Sequence, residues 1–218
     1  MLPPRCGGCR TLGGWLCQLC AEQIHPLRQP FCRRCGRELE FVNQPCSCRH
    51  HLRSLSRLRS AALYQGSLER AIHRFKYEGW RSLAPVLAGL LTEQLTEQVD
   101  PGTAILSVPL HRRRQRQRGY NQAQLLADEL GCRLHLKAVK GRLLRLRDTP
   151  AQVGLDRLAR RSNVSGAFEW HGTLLQNQSL LLIDDVATTG ATLEACAGVL
   201  RAAGAGKIIG WTLARVQL

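Results

Sequence analysis

The sequence predicts an α/β protein built on a parallel β-sheet, preceded by a small cysteine-rich, zinc-binding module. Three observations predict it. Residues 180–183 form an unbroken apolar run, as in a strand buried on both faces. Strand patterns alternate with helix patterns through the second half of the chain, the signature of parallel-sheet units. Eight of the ten cysteines fall within residues 6–48, in four close pairs.

The pairs are Cys6/Cys9, Cys17/Cys20 and Cys32/Cys35, each C-x-x-C, and Cys46/Cys48, a C-x-C. Two thiolates on a tight turn suit one tetrahedral ion, so two pairs make a structural zinc site. Sequential pairing puts Cys6, Cys9, Cys17 and Cys20 on one zinc and Cys32, Cys35, Cys46 and Cys48 on a second. A cross-braced pairing and replacement of Cys48 by His50 or His51 are alternatives. Four cysteines leave no open coordination position, which argues against catalytic zinc. Without metal this segment has too few large apolar residues to fold by itself. Cys132 and Cys196 stand alone and read as small buried residues.

Arg49 to Arg59 reads as a basic linker between a module at 1–52 and an α/β domain at 60–218. A strand is expected over Ser60–Tyr64, then a helix capped by Ser67 through Leu68, Ile72 and Phe75, ending near Gly79. A second helix fits Leu83–Gln98, and a strand fits Ala104–Val108. Next come five arginines in seven residues, Arg112, Arg113, Arg114, Arg116 and Arg118. They repel one another unless an anion offsets them; the plain alternative is a solvated basic helix start. Arg118-Gly-Tyr-Asn-Gln122 leads into a helix through Leu130 that ends at Gly131. A strand is expected over Gly141–Leu146, followed by a polar, basic interval to residue 170. The last unit is strand 180–186, a Thr/Gly loop, a helix to Ala203 stopped by Gly204, and strand Lys207–Ala214.

The chain has 218 residues and a net charge of +15, and 27 of its 31 basic residues are Arg. Arginine grips phosphate through a planar fork, so phosphates on a small molecule or on nucleic acid are the expected partners. Residues 1–60 carry ten Arg, no Lys and three Glu. Aromatic residues are 5% of the chain, few for a protein that only binds single strands by stacking. No apolar run reaches transmembrane length and the N-terminus lacks a signal-peptide core, so a cytoplasmic protein with reduced thiols and no membrane insertion is expected.

The apolar run ends in Asp184 and Asp185, and Thr188 to Thr192 follow it into a helix. Backbone amides and hydroxyls at a helix start suit a phosphate. Paired carboxylates suit sugar hydroxyls or a hard cation. The plain reading is a buried strand with a capped turn, which leaves two charges after four apolar residues unexplained. Adjacent strand residues face opposite sides, so the pair shares a ligand only where the strand has ended or twisted.

This stretch resembles the phosphoribosyl-pyrophosphate (PRPP) motif of type I phosphoribosyltransferases and implies their fold. In that family the acidic pair, here Asp184 and Asp185, holds the ribose hydroxyls directly or through magnesium-bound water. The loop, here Ala187, Thr188, Thr189, Gly190, Ala191 and Thr192, holds the 5′-phosphate. The resemblance places pyrophosphate at the loop carrying Arg112, Arg114, Arg116 and Arg118, and a closing lid at Thr149, Gln152 and Arg161. The whole chain resembles the ComF/GntX family. The shared features are the cysteine-paired module, Phe75-Lys76-Tyr77, Val-Pro before the arginines, Arg-Gly-Tyr-Asn-Gln, Arg147-x-Thr149-x-x-Gln152 and Asp-Asp-x-x-Thr-Thr-Gly. The C-x-C pair departs from the usual C-x-x-C. The resemblance implies a link to competence, DNA uptake or use of external DNA, and to partner proteins in those processes. Three functions are consistent with it: a phosphoribosyltransferase using PRPP and magnesium, a single-stranded DNA-handling protein, and a sensor that binds PRPP or a nucleotide without turnover.

Overall fold

The computed structural model describes residues 3–27, 29–95, 98–148 and 166–217. Its centre is a five-stranded sheet in which every neighbouring pair is parallel. The strands are β1 (Arg57–Leu63), β2 (Ala104–Ser107), β3 (Lys137–Ala138), β6 (Leu180–Ala187) and β7 (Ile208–Arg215), in the order β1-β7-β6-β2-β3. β4 (Arg142–Arg145) and β5 (Phe168–His171) pair antiparallel in a separate two-stranded sheet. The helices are α1 (Gln18–Glu22), α2 (Gly66–Tyr77), α3 (Ala84–Leu95), α4 (Arg112–Arg118), α5 (Gln122–Arg133) and α6 (Ala191–Ala202).

Side-chain alternation along β6 divides the core. Leu181 and Ile183 pack with Leu68, Ile72 and Phe75 of α2, Leu87 and Leu91 of α3, and Leu126 and Leu130 of α5. Leu180 and Leu182 point the other way, to Leu193, Cys196 and Leu200 of α6. All eight residues of β7 are buried, which explains its near-continuous apolar sequence. No helix among the described residues is long and apolar enough to cross a membrane.

The segment expected to be a linker is part of the core. Leu52, Leu55 and Leu58 are fully buried beside α6, each contributing about 1.5–3 kcal/mol. The Glu194 carboxylate accepts from the backbone N–H groups of Arg53 (2.8 Å), Ser54 (2.7 Å) and Leu55 (3.0 Å). Arg201 donates to the Ser54 carbonyl and the Ser56 hydroxyl, both at 3.1 Å. A basic, turn-rich stretch looked solvated because its three leucines follow no strand or helix period.

Other boundaries differ for local reasons. β1 begins at Arg57 because it pairs with β7 from that residue. Ser67 does not cap α2; its hydroxyl donates to the Cys20 carbonyl at 2.7 Å, and Gln65 takes the cap position. The second helix is described over Ala84–Leu95; residues 96 and 97 lie outside the described residues, and Gln98 is in a turn. The arginine loop is helical: His111 caps α4 through Nδ1, and Gly119, at φ +78°, stops it. The expected strand at 141–146 forms as β4 but pairs with β5 rather than joining the parallel sheet. Cys196 is buried as expected, whereas Cys132 is exposed. The lid residues Thr149, Gln152 and Arg161 lie outside the described residues.

Glu194→Ala removes the acceptor of three backbone amides and should cost about 2 kcal/mol. Urea unfolding measures it; a loss below about 0.5 kcal/mol, the scale of an ordinary surface change, would show the clamp to be unimportant.

Candidate functional site

β6 continues through Ala187, so its two adjacent carboxylates diverge. Asp185 faces the α2 side. Its Oδ1 lies 2.6 Å from Nζ of Lys76, with the side chains 5% and 16% exposed. Its Oδ2 is buried and has no hydrogen-bond partner among the described residues. Asp184 is half-buried and accepts from the Asp185 N–H at 2.9 Å. Desolvation first, and then the Asp185 charge, push Asp184 up to about 7, against the pull of Lys76 and Arg145. Burial opposes the charge on Lys76, but the two aspartates outweigh it and raise its pKa.

The Thr/Gly loop bridges β6 and the first turn of α6. Thr189 is buried, and its Oγ1 accepts from the Ala191 N–H at 3.3 Å. Gly190 sits at φ +81°, and a Cβ there would stand 2.7 Å from Leu58 Cδ2. Glycine is therefore required by both backbone and space. The first amides of α6 have no acceptor within the helix and lie at its positive end. Ala187, Ala191 and Thr192 complete the expected phosphate loop around this turn.

The arginine helix α4 follows the carboxyl end of β2. Arg114 Nε lies 3.1 Å from Asp148. Arg118 donates to Gln122 Oε1 at 2.6 Å and stacks over the Tyr77 ring at 5.0 Å, next to Lys76. Arg112 and Arg116 are exposed. A cleft of about 760 Å³ runs between the end of β2, α4 and the two-stranded sheet, and Ser107, Arg112, Gln124 and Arg145 line it. Arg145 also acts on Asp184, so the cleft and the acids share an electrostatic wall. The structure thus gathers the acids and the loop at one end of β6 and sets α4 at the same edge of the sheet.

The eight paired cysteines form two groups, Cys6/Cys9/Cys17/Cys20 and Cys32/Cys35/Cys46/Cys48, each with its sulfurs within 4.8 Å of one another. This is the sequential pairing, with Cys48 rather than a histidine in the second group. Sulfur separations of 3.6 Å for Cys9–Cys17, Cys32–Cys48 and Cys35–Cys46 are close to the ~3.8 Å of a tetrahedron with ~2.3 Å zinc–sulfur bonds. The N–H groups of Gly8 and Cys17 both donate to Cys6 Sγ at 3.3 Å, as they would to a thiolate. Without a cation the crowding is unfavourable: burial and then the neighbouring sulfurs push Cys20 up to about 12. Both groups can hold zinc.

Each group is docked on the sheet domain. Arg74 donates to the carbonyls of Gly7 and Gly8, and Arg70 to Gly8, which fixes the first group to α2. Buried Arg215 of β7 donates to the Cys35 carbonyl at 2.7 Å, and Arg59 of β1 to the Arg33 carbonyl at 2.7 Å, which fixes the second.

Lys76 was the site residue that sequence reasoning missed. It is one of only four lysines and sits inside Phe75-Lys76-Tyr77. That segment registered only as a shared feature, because nothing in the local pattern says which strand the last turn of α2 faces.

The fold is an α/β parallel-sheet domain bearing two tetracysteine sites. No family model matches the chain. Competence protein F of Haemophilus influenzae is 34% identical over 210 residues, covering 92% of this chain and 90% of the relative. DNA utilization protein YhgH of Escherichia coli K12 is 30% identical over 224 residues, covering 98% of each. Competence protein ComFC of Bacillus subtilis is 26% identical, covering 92% of this chain and 84% of the relative. The chain belongs to the family of competence protein F and DNA utilization protein YhgH. Among solved structures, a hypoxanthine phosphoribosyltransferase of Staphylococcus aureus aligns with 60% of this chain and 62% of its own at 13% identity and a TM-score of 0.39. An adenine phosphoribosyl transferase of Trypanosoma brucei, in complex with AMP, pyrophosphate and ribose-5-phosphate, aligns with 62% of this chain and 54% of its own at 15% identity and a TM-score of 0.37.

Two outcomes are expected. Elemental analysis should find two zinc ions per chain, falling to one in Cys48→Ser; two ions retained in that variant would remove Cys48 from the ligand set. Asp184 has a folded pKa near 7 against an ordinary 3.8. The folded chain therefore holds a proton that the unfolded chain releases between those values, and this contribution to stability fades as pH rises through about 7. Melting temperatures should accordingly favour Asp184→Asn over wild type increasingly from pH 5.5 to 8, and a gap independent of pH would contradict the raised pKa.

Proposed function

We propose that the carboxyl edge of β6 binds PRPP and that the protein is a phosphoribosyltransferase-like member of its family. The observation that carries this reading is a strand end whose Asp185 keeps one buried oxygen without a partner among the described residues, immediately before a Thr/Gly loop and the positive end of α6. The 5′-phosphate lies on the loop from Ala187 to Thr192, where the first turn of α6 supplies N–H donors and positive potential. One ribose hydroxyl goes to the unsatisfied oxygen of Asp185; Asp184, on the opposite face of β6, lies on the side of Arg145. Arg112, Arg114, Arg116 and Arg118 neutralise the pyrophosphate, and Arg145 borders the same cleft.

Asp185 fits magnesium through its water shell. Asp185 already carries the Lys76 ammonium on one oxygen and offers the other to a donor, which suits a hydroxyl or a metal-bound water better than a bare cation. Bound there with the ligand, magnesium would offset pyrophosphate charge. The chain's own contribution is to orient the sugar, hold the phosphate and supply guanidinium groups where charge accumulates as pyrophosphate departs. The names of the relatives support a role in competence or in the use of DNA. The arginine surplus of residues 1–60 supports single-stranded DNA as a further partner of the cysteine module.

Thermal melts with PRPP and magnesium test the reading. Wild type should gain several degrees at ligand well above its Kd, and Asp185→Asn should gain less than about one degree. A full shift in Asp185→Asn would take the ribose contact away from this pair. Pyrophosphate release on adding nucleobases then separates transfer from sensing.

A further inference from the structure

The Lys76–Asp185 pair, a partly exposed lysine on a buried aspartate, is chemically incomplete. Asp185 Oδ2 has no donor, and among the described residues the Lys76 ammonium has no partner beyond Asp185, which leaves two of its three N–H bonds unused. A buried carboxylate oxygen without a donor is costly. One ligand group serves both: a hydroxyl, which donates through its hydrogen and accepts through its oxygen. A phosphate would meet the Asp185 charge, and a bare cation the Lys76 charge.

We infer that Lys76 is a specificity-determining residue of the PRPP site: with Asp185 it seats one ribose hydroxyl, which donates to Asp185 Oδ2 and accepts from Lys76 Nζ. This rests on the reading in the preceding subsection and adds to the acidic pair a residue from another element. Oδ2 is sealed in the free protein, so the hydroxyl enters as the lysine side chain, 16% exposed, moves aside. The backbone beneath it stays put. The Tyr120 hydroxyl donates to the Phe75 carbonyl, and Arg74 ties the same helix to Gly7 and Gly8. Only the unbranched side chain has to adapt. A sugar lacking that hydroxyl would leave the carboxylate oxygen and the ammonium unsatisfied again, so the pair discriminates ribose from a deoxyribose.

Calorimetry with ribose 5-phosphate, 2-deoxyribose 5-phosphate and 3-deoxyribose 5-phosphate tests this in wild type and Lys76→Met. Wild type should bind at least one deoxy sugar about tenfold more weakly than ribose 5-phosphate, the scale of a hydrogen bond to charged groups. In Lys76→Met that ratio should fall to about twofold or less, while the ratio for the other deoxy sugar is kept. A ratio taken within one protein cancels any general loss of stability, so a merely structural lysine would leave it unmoved. If Lys76→Met does not fold, Lys76→Gln, whose amide still donates to Asp185, should lower the same ratio. Wild-type ratios in the folded variant, or no discrimination by wild type, overturn the inference and leave the PRPP site standing. Absence of ribose 5-phosphate binding by wild type strikes instead at the site itself.

Discussion

Alternation along β6 is the constraint from which the rest of the molecule follows. The strand is buried on both faces, so one set of its side chains defines the core with α2, α3 and α5, and the other the core with α6. The same alternation carries past Ile183 and assigns each carboxylate a different environment. Asp185 goes to the helix that carries Lys76, and Asp184 to the side of Arg145 and Cys196. Two chemically identical residues thus become a lysine-paired group and a group whose pKa is raised to about 7. That division of labour is set by the period of a strand rather than by any special residue.

The cysteine module is bound into this arrangement rather than appended to it. Its first group rests on α2 through Arg70, Arg74 and Ser67, the helix whose last turn presents Lys76. Its second group rests on the ends of β1 and β7 through Arg59 and Arg215. The segment leaving it supplies Leu52 and Leu58, which lie against Gly190 in the Thr/Gly loop. Carbonyl oxygens from knuckle turns, which lack partners in their own small module, are met by guanidinium groups of the sheet domain. Part of the arginine excess therefore acts inside the fold, where charge-assisted hydrogen bonds are strong.

Much of this was legible from residue patterns. The apolar run 180–183 with its acids and glycine loop marked the central strand and the helix after it, and the cysteine groups follow the sequential pairing, the simplest of the arrangements that spacing left open. What escaped was long-range. Leu52, Leu55 and Leu58 read as a linker because their burial depends on a helix some 140 residues later, held through Glu194. β4 read as a sheet strand because its own sequence cannot specify which partner it takes. The arginine cluster left a solvated helix start open, and its assignment as a loop came from the family resemblance. His111 at the cap, Gly119 at the stop and Asp148 across from Arg114 make a helix there. The role of Lys76 required knowing the depth and direction of α2.

One consequence concerns the order of synthesis. Glu194, Arg201 and Arg215, near the end of the chain, hold segments within the first sixty residues. Arg215 leaves the ribosome well after Cys35, so the turn of the second cysteine group emerges before this contact can form. Contacts this distant in sequence close slowly. The second cysteine group is therefore without its Arg215 contact for most of the chain's synthesis.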